Sequence, residues 1–116
     1  TAVDTVERFL HSLRLRNYSL LEGIFPDETA HRVADKTFAI CHIDVDVYES
    51  AKGVFEWVWP RLPRGGIIVF DDYGFFGCEG VTSYVDELRE QPDRVVVANL
   101  NGHAVIVRTE ERRSIQ

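Results

Sequence analysis

Two apolar runs in this chain each end in a pair of acids, and that pattern constrains the fold and the chemistry more than any other feature. Phe38-Ala39-Ile40-Cys41-His42-Ile43 runs into Asp44-Val45-Asp46, and Ile67-Ile68-Val69-Phe70 runs into Asp71-Asp72-Tyr73. Short apolar runs bounded by turn signals read as buried strands of a parallel sheet. Ligands of open α/β sheets bind just outside the carboxyl ends of such strands. Three or four carboxylates are therefore expected at one edge of one sheet. Like charges held that close repel unless a cation or a shared proton joins them. An all-oxygen cluster suits a hard divalent cation such as Mg²⁺ or Mn²⁺.

The rest of the chain supplies the alternation that a parallel sheet needs. From Thr1 to about Arg16, Val3, Val6, Phe9, Leu10 and Leu13 fall on one helical face, and Asn17 is a stop signal. Residues 18–23 read as a short strand, Phe25-Pro26-Asp27 as a turn, and 31–36 as a loop or one helical turn. A helix over 48–62 follows the first strand, with Pro60 near its end. Tyr48, Glu49 and Ser50 form its N-terminal turn. Pro63-Arg64-Gly65-Gly66 is a turn, 74–80 a loop rich in glycine and phenylalanine, and 81–89 a helix. Two β-branched runs, 95–100 and 103–107, flank Asn101-Gly102, a strong hairpin signal. Residues 110–116 read as a charged tail. Alternating units of this kind predict an α/β fold, a mainly parallel sheet closed by an antiparallel hairpin.

The 116 residues suffice for one modest domain, with 45% hydrophobic and 28% charged residues, as in ordinary globular proteins. A net charge of -6 argues against non-specific nucleic-acid binding and against an anionic membrane surface. No apolar run approaches the ~20 residues of a membrane span. The two cysteines, Cys41 and Cys78, have no metal-site spacing and read as free thiols in a reducing cytoplasm. The chain has no methionine, even at position 1, and is read as part of a longer protein. His42, inside a strand, reads as a satisfied buried histidine, and His11, His31 and His103 have no partner in the sequence. Tyr73, Phe75 and Phe76 suit either a substrate pocket wall or core and dimer contacts.

Three motifs, in order, carry a more specific signal. They are Leu21-Glu22-Gly23-Ile24-Phe25-Pro26, Asp44-Val45-Asp46-Val47-Tyr48-Glu49-Ser50, and Gly65 through Tyr73. From about Leu20 to about Val81 the chain resembles the macrocin O-methyltransferase (TylF-type) family, metal- and S-adenosylmethionine-dependent sugar O-methyltransferases of antibiotic pathways. The resemblance implies Asp44, Asp71 and Asp72 as ligands of Mg²⁺ or another divalent cation, Asp44 also as general base, and a small-molecule acceptor. In such enzymes the metal holds two vicinal sugar hydroxyls and lowers the pKa of the one to be methylated.

The glycine-rich loop and the ribose-binding acid of the cofactor site have no counterpart in the chain. The resemblance thus implies the C-terminal portion of a Rossmann-like methyltransferase fold that lacks its first two strands, one partial domain over 1–116. Three arrangements accommodate this. A longer parent comes first, then a homodimer that pairs exposed sheet edges, then direct pairing of strand 18–23 with strand 38–43. Two other functions compete with a methyltransferase site: a catalytically silent α/β fragment that acts by association, and a metal-dependent phosphoryl-transfer site. The last lacks a basic residue next to the acids.

Overall fold

A computed structural model of the chain describes residues 1–111, which fall into two compact units, Thr1–Ala34 and Asp35–Gln116. The part of the expected charged tail from position 112 onward lies outside the described residues.

The first unit opens with α1 (Ala2–Ser12), amphipathic as its periodicity predicts. A capping box starts it. The Thr1 side chain accepts from the Asp4 N–H, and the Asp4 carboxylate reaches back to the amino terminus at 3.2 Å. The helix ends before Arg14, which has φ 59°. None of its residues is buried, and Val6 and Phe9 are exposed. A single 3₁₀ turn, Ala30–Val33, closes the unit where a loop or helical turn is expected.

The strand expected over 18–23 does not form. Its sequence pattern is short, and Gly23, at φ +137°, leaves the extended region. A strand persists through its ladder of backbone hydrogen bonds, and this unit offers it no neighbouring strand. With no strand over 18–23, the direct pairing of a strand there with the next strand is not formed.

The second unit is a four-stranded sheet with two helices. Its elements are β1 (Ile40–Ile43), α2 (Tyr48–Val58), β2 (Ile67–Phe70), α3 (Glu79–Leu88), β3 (Arg94–Ala98) and β4 (Ala104–Arg108). The spatial order is β1-β2-β4-β3. β1 and β2 are parallel with Ile43 opposite Phe70, while β4 runs antiparallel to both its neighbours. The expected α/β class and the antiparallel hairpin are both present. The helix over 48–62 is shorter than expected. It becomes a 3₁₀ turn, Trp59–Arg61, at Pro60, which has no N–H to continue the helical ladder.

Both crossovers, β1 to β2 and β2 to β3, run in the same direction across the sheet. Right-handed connections therefore place α2 and α3 on the same face. Phe70 meets Phe55 of α2 at 6.2 Å and Tyr84 of α3 at 6.3 Å between ring centroids. Ile68, Phe70, Ala104 and Ile106 point to this face and are fully buried. Alternation turns His42, Val69, Val95 and Val97 to the opposite face. Within this unit no described element covers that face, and Val95 and Val97 are exposed.

At the sheet end remote from the acids, Trp59 Nε1 donates to Asp93 Oδ2 at 3.1 Å and Arg94 Nε donates to Asp93 Oδ1 at 2.7 Å. The Arg94 guanidinium lies 4.5 Å from the Trp59 ring centroid, and the buried Arg108 donates to the Trp59 carbonyl at 2.5 Å. Burial raises the Asp93 carboxyl, but the Arg94 charge and the two hydrogen bonds outweigh it and hold the group below its ordinary value.

Candidate active site

The two acid pairs meet where the parallel strands end. The Asp71 N–H donates to the Ile43 carbonyl at 2.9 Å, which extends the β1–β2 ladder one rung past the strands. Asp44 and Asp71 therefore leave the sheet side by side. Asp72 follows at φ 60°, a left-handed conformation that aspartate tolerates better than most residues. Its N–H donates to Asp71 Oδ1 at 2.8 Å. This turn breaks the alternation and brings the Asp72 carboxylate back towards the other two. One ligand oxygen from each of Asp44, Asp71 and Asp72 lies within 4.8 Å of the others.

The electrostatics fit that crowding. Partial desolvation, then the charges of Asp71, Asp44 and Asp46, push the Asp72 carboxyl above its ordinary value, while His103 pulls it down. Three part-exposed carboxylates form a hard, anionic, oxygen-only donor set. That chemistry matches Mg²⁺ or Mn²⁺, which take one to a few carboxylates and keep several waters.

Two further groups flank this trio and share its acids. Asp46, Asp72 and Cys78 form one, with the Cys78 Sγ 4.0 Å from Asp46 Oδ1. Desolvation and the surrounding acids raise the Cys78 thiol above its ordinary value, the opposite of the shift that activates a cysteine nucleophile. His42, Asp71 and His103 form the other. Their Nε2 atoms lie 3.8 Å from Asp71 Oδ2 and 3.5 Å from Asp71 Oδ1 respectively.

Both histidines depart from the sequence reading. His42 is half-exposed (53%) rather than buried, because only one face of the sheet is covered within this unit. His103, without a partner in the sequence, stands beside Asp71 because the β4 end of the hairpin loop lies next to the β2 end. Alternation along β1 places His42 on the same face as Val69, and the same rule carries Asp71 there. That signal could have found the His42 contact, given the strand register.

The loop beyond Asp72 is tied down on several sides. Tyr73 N–H donates to the Gly102 carbonyl at 2.8 Å, and Gly74 N–H to Thr82 Oγ1 at 2.8 Å. The Tyr73 hydroxyl donates to Asp86 Oδ1 at 2.5 Å and accepts from Arg89 Nη2 at 3.1 Å. Tyr73 is thus engaged in the fold. Phe76 projects into solvent, while Phe75 contacts the backbone of Gly102.

Comparison with known proteins agrees with this picture. The family model for macrocin-O-methyltransferase (TylF) matches residues 3–106. A demethyldecarbamoylnovobiocin O-methyltransferase of Streptomyces niveus is 33% identical over 85 residues, covering 67% of this chain and 31% of that protein. An 8-demethyl-8-(2,3-dimethoxy-alpha-L-rhamnosyl)-tetracenomycin-C 4'-O-methyltransferase of Streptomyces olivaceus is 36% identical over 58 residues, covering 50% and 22%. Among solved structures, the O-methyltransferase NovP superposes with TM-score 0.75 at 24% identity, over 92% of this chain and 45% of that one. A TDP-rhamnose 3'-O-methyltransferase of calicheamicin biosynthesis superposes with TM-score 0.63 at 22% identity, over 77% and 41%. The chain thus spans well under two thirds of the length of each of these proteins, and the structural likenesses bear on fold alone. With the family model matched along most of its length, the chain belongs to the macrocin O-methyltransferase family.

Proposed function

We propose that this chain supplies the acceptor side of an O-methyltransferase site, where a divalent cation and a small-molecule hydroxyl are held and the hydroxyl proton is removed. The observation that carries the reading is the convergence of Asp44, Asp71 and Asp72 at the ends of two parallel strands. These three carboxylates would hold Mg²⁺ or Mn²⁺. Bound there, such a cation supplies Lewis acidity that lowers the pKa of an adjacent alcohol.

Asp44 is the proposed general base. It stands at the exposed rim of the cluster with no hydrogen-bond partner among the described residues for a substrate to displace, whereas Asp71 Oδ1 already accepts the Asp72 N–H. The hydroxyl proton would pass to an Asp44 oxygen, while Asp71 and Asp72 would hold the cation whose charge offsets that left on the acceptor oxygen. S-adenosylmethionine is the methyl donor that family membership suggests. The transfer itself is not assigned to groups of this chain.

A sugar hydroxyl is the favoured acceptor, in an antibiotic pathway and in the cytoplasm. Two of the similar proteins carry a rhamnosyl or TDP-rhamnose acceptor in their names, and two act on antibiotics or their precursors. No described helix is long and apolar enough to cross a membrane, and both cysteines are free thiols.

A second reading, association without catalysis, draws on β1, which forms an edge of the sheet with Ile40 exposed. There a second copy would pair strand to strand. Titration calorimetry with Mg²⁺ and then S-adenosylmethionine, beside an Asp71→Ala Asp72→Ala variant, separates the two. Metal binding that the variant loses supports the acceptor-side role. Absence of metal binding in the unaltered chain refutes it and leaves association.

A further inference from the structure

His42, Asp71 and His103 have the spacing of a metal-binding trio, but the hydrogen bonds behind His103 assign it a different role. The Asn99 side chain settles the matter. Its Oδ1 accepts from the N–H of Asn101 at 2.9 Å and from the N–H of His103 at 2.9 Å. Two backbone donors on one atom identify that atom as the oxygen, so the amide orientation is fixed. The Asn99 Nδ2 then faces His103 Nδ1 at 3.2 Å, and it is only a donor. Nδ1 must accept. A neutral imidazole carries a single N–H, which therefore sits on Nε2. That atom lies 3.5 Å from Asp71 Oδ1.

His103 thus presents a proton to Asp71, and its lone pair is not available to a cation at Nε2. We infer that Asn99 and His103 form a positioning relay for Asp71, in which Asn99 fixes the tautomer and His103 Nε2–H steadies the carboxylate that holds the cation. Asp71 Oδ1 also receives the Asp72 N–H at 2.8 Å. Both donors lie on the Oδ1 side, while Oδ2 faces only His42 Nε2, at 3.8 Å, among these groups and is the less engaged oxygen for a cation. Hydrogen bonds to ligating carboxylates orient them in this way. The 3.5 Å separation is long for a formed bond, and such contacts tighten when a site is loaded.

The inference rests on Asp71 as a metal ligand, and its test separates the two claims. The first measurement is the tautomer, read by long-range ¹⁵N–¹H correlation at a pH where the imidazoles are neutral, with the His103 signal assigned by its loss in His103→Gln. The Nε2–H form is expected, and the Nδ1–H form overturns the relay. The second is Mn²⁺ binding by electron paramagnetic resonance on the whole chain, with circular dichroism to show that each variant is folded. His103→Leu removes the donor and weakens Mn²⁺ binding about tenfold, the usual loss for an outer-shell partner. His103→Gln returns an N–H to the same position and restores most of the affinity. Equal affinity in the Leu variant and the unaltered chain overturns the relay, as does equal loss in Leu and Gln, which marks a merely structural part. Mn²⁺ binding that survives Asp71→Asn refutes instead the ligand role of Asp71, whatever the tautomer shows.

Discussion

Gly102→Ala measures how tightly the acid-bearing loop is coupled to the hairpin beside it. Gly102 has φ +80°, and its carbonyl accepts the Tyr73 N–H at 2.8 Å. A Cβ built there falls 2.8 Å from Phe75 Cδ2 and Cζ and closer still to Cε2. Two costs follow. The left-handed backbone costs an alanine about 1–2 kcal/mol, offset by roughly 0.5 kcal/mol because alanine also restricts the unfolded chain. The Phe75 ring must also leave Gly102. Its side chain is 51% exposed, so about half of a phenylalanine's ~2–3 kcal/mol of burial is at stake. Together these amount to about 2 kcal/mol, or a fall in Tm on the order of 10 °C for a unit of this size.

The cycle with Phe75→Ala separates the two costs. In the Phe75→Ala background, Gly102→Ala retains only the backbone cost, so the pair couples by about 1 kcal/mol. Thermal unfolding followed by circular dichroism reads both values. Mn²⁺ affinity should fall in Gly102→Ala and recover partly in the double variant, because the displaced ring disturbs the loop that carries Asp71 and Asp72. Strict additivity of the two substitutions, or an unchanged Tm in Gly102→Ala, refutes the close contact on which this reasoning depends.

Three further outcomes are expected. Phe70→Ala empties the centre of the Phe55–Phe70–Tyr84 cluster and costs about 3–5 kcal/mol, measured by urea unfolding. Asp93→Asn removes an acid-labile part of the stability. A carboxyl held below its ordinary value of 3.8 stabilises the fold above that pH, and this contribution disappears as pH falls through the lowered value, so the variant should show a shallower loss of Tm in acid. Asp72 has the opposite sign. Its carboxyl is raised, so its penalty is absent well below pH 3.8 and grows as pH rises through the raised value. Asp72→Asn should therefore raise the Tm of the metal-free chain at neutral pH while it lowers Mn²⁺ affinity.

How much of this was legible in the sequence depends on where each element finds its partners. β2 matches its expected bounds, because Gly65-Gly66 and Asp71-Asp72 punctuate a run of four apolar residues. The hairpin was legible too, yet its loop covers 99–103 rather than two residues, since the Asn99 side chain takes over the turn and binds the N–H groups of Asn101 and His103. Residues 18–23 carry a strand-like pattern that local propensity supports, but a strand requires a partner and their own unit contains none. His42 reads as buried only if both faces of the sheet are covered. The acids were legible as a cluster because parallel strands end in the same place. His103 beside Asp71 was not, because its proximity depends on β4 lying next to β2, a pairing that joins residues more than 30 positions apart, whereas the His42 contact needed only the β1–β2 register.

The backbone holds the carboxylate trio together. Repulsion alone would spread three acids apart, and after desolvation it is the charges of Asp71, Asp44 and Asp46 that raise the Asp72 carboxyl. The backbone opposes that spread at each point. The Ile43 carbonyl fixes Asp71 through its N–H, the left-handed turn and the Asp71 Oδ1 contact fix Asp72, and Gly102 and Thr82 fix the residues that follow. All of these constraints lie within the second unit. An acid set that only capped strands would have no reason to adopt the left-handed φ at Asp72, where an ordinary turn would let the charges part. Asp72→Ala gives a direct test. It removes the charge but tolerates φ 60° less well than aspartate or asparagine, so the metal-free chain should be less stable with Ala than with Asn at this position, by about 1 kcal/mol. If thermal unfolding gives both variants the same Tm, the left-handed turn does not persist in solution and the backbone does not hold these charges together.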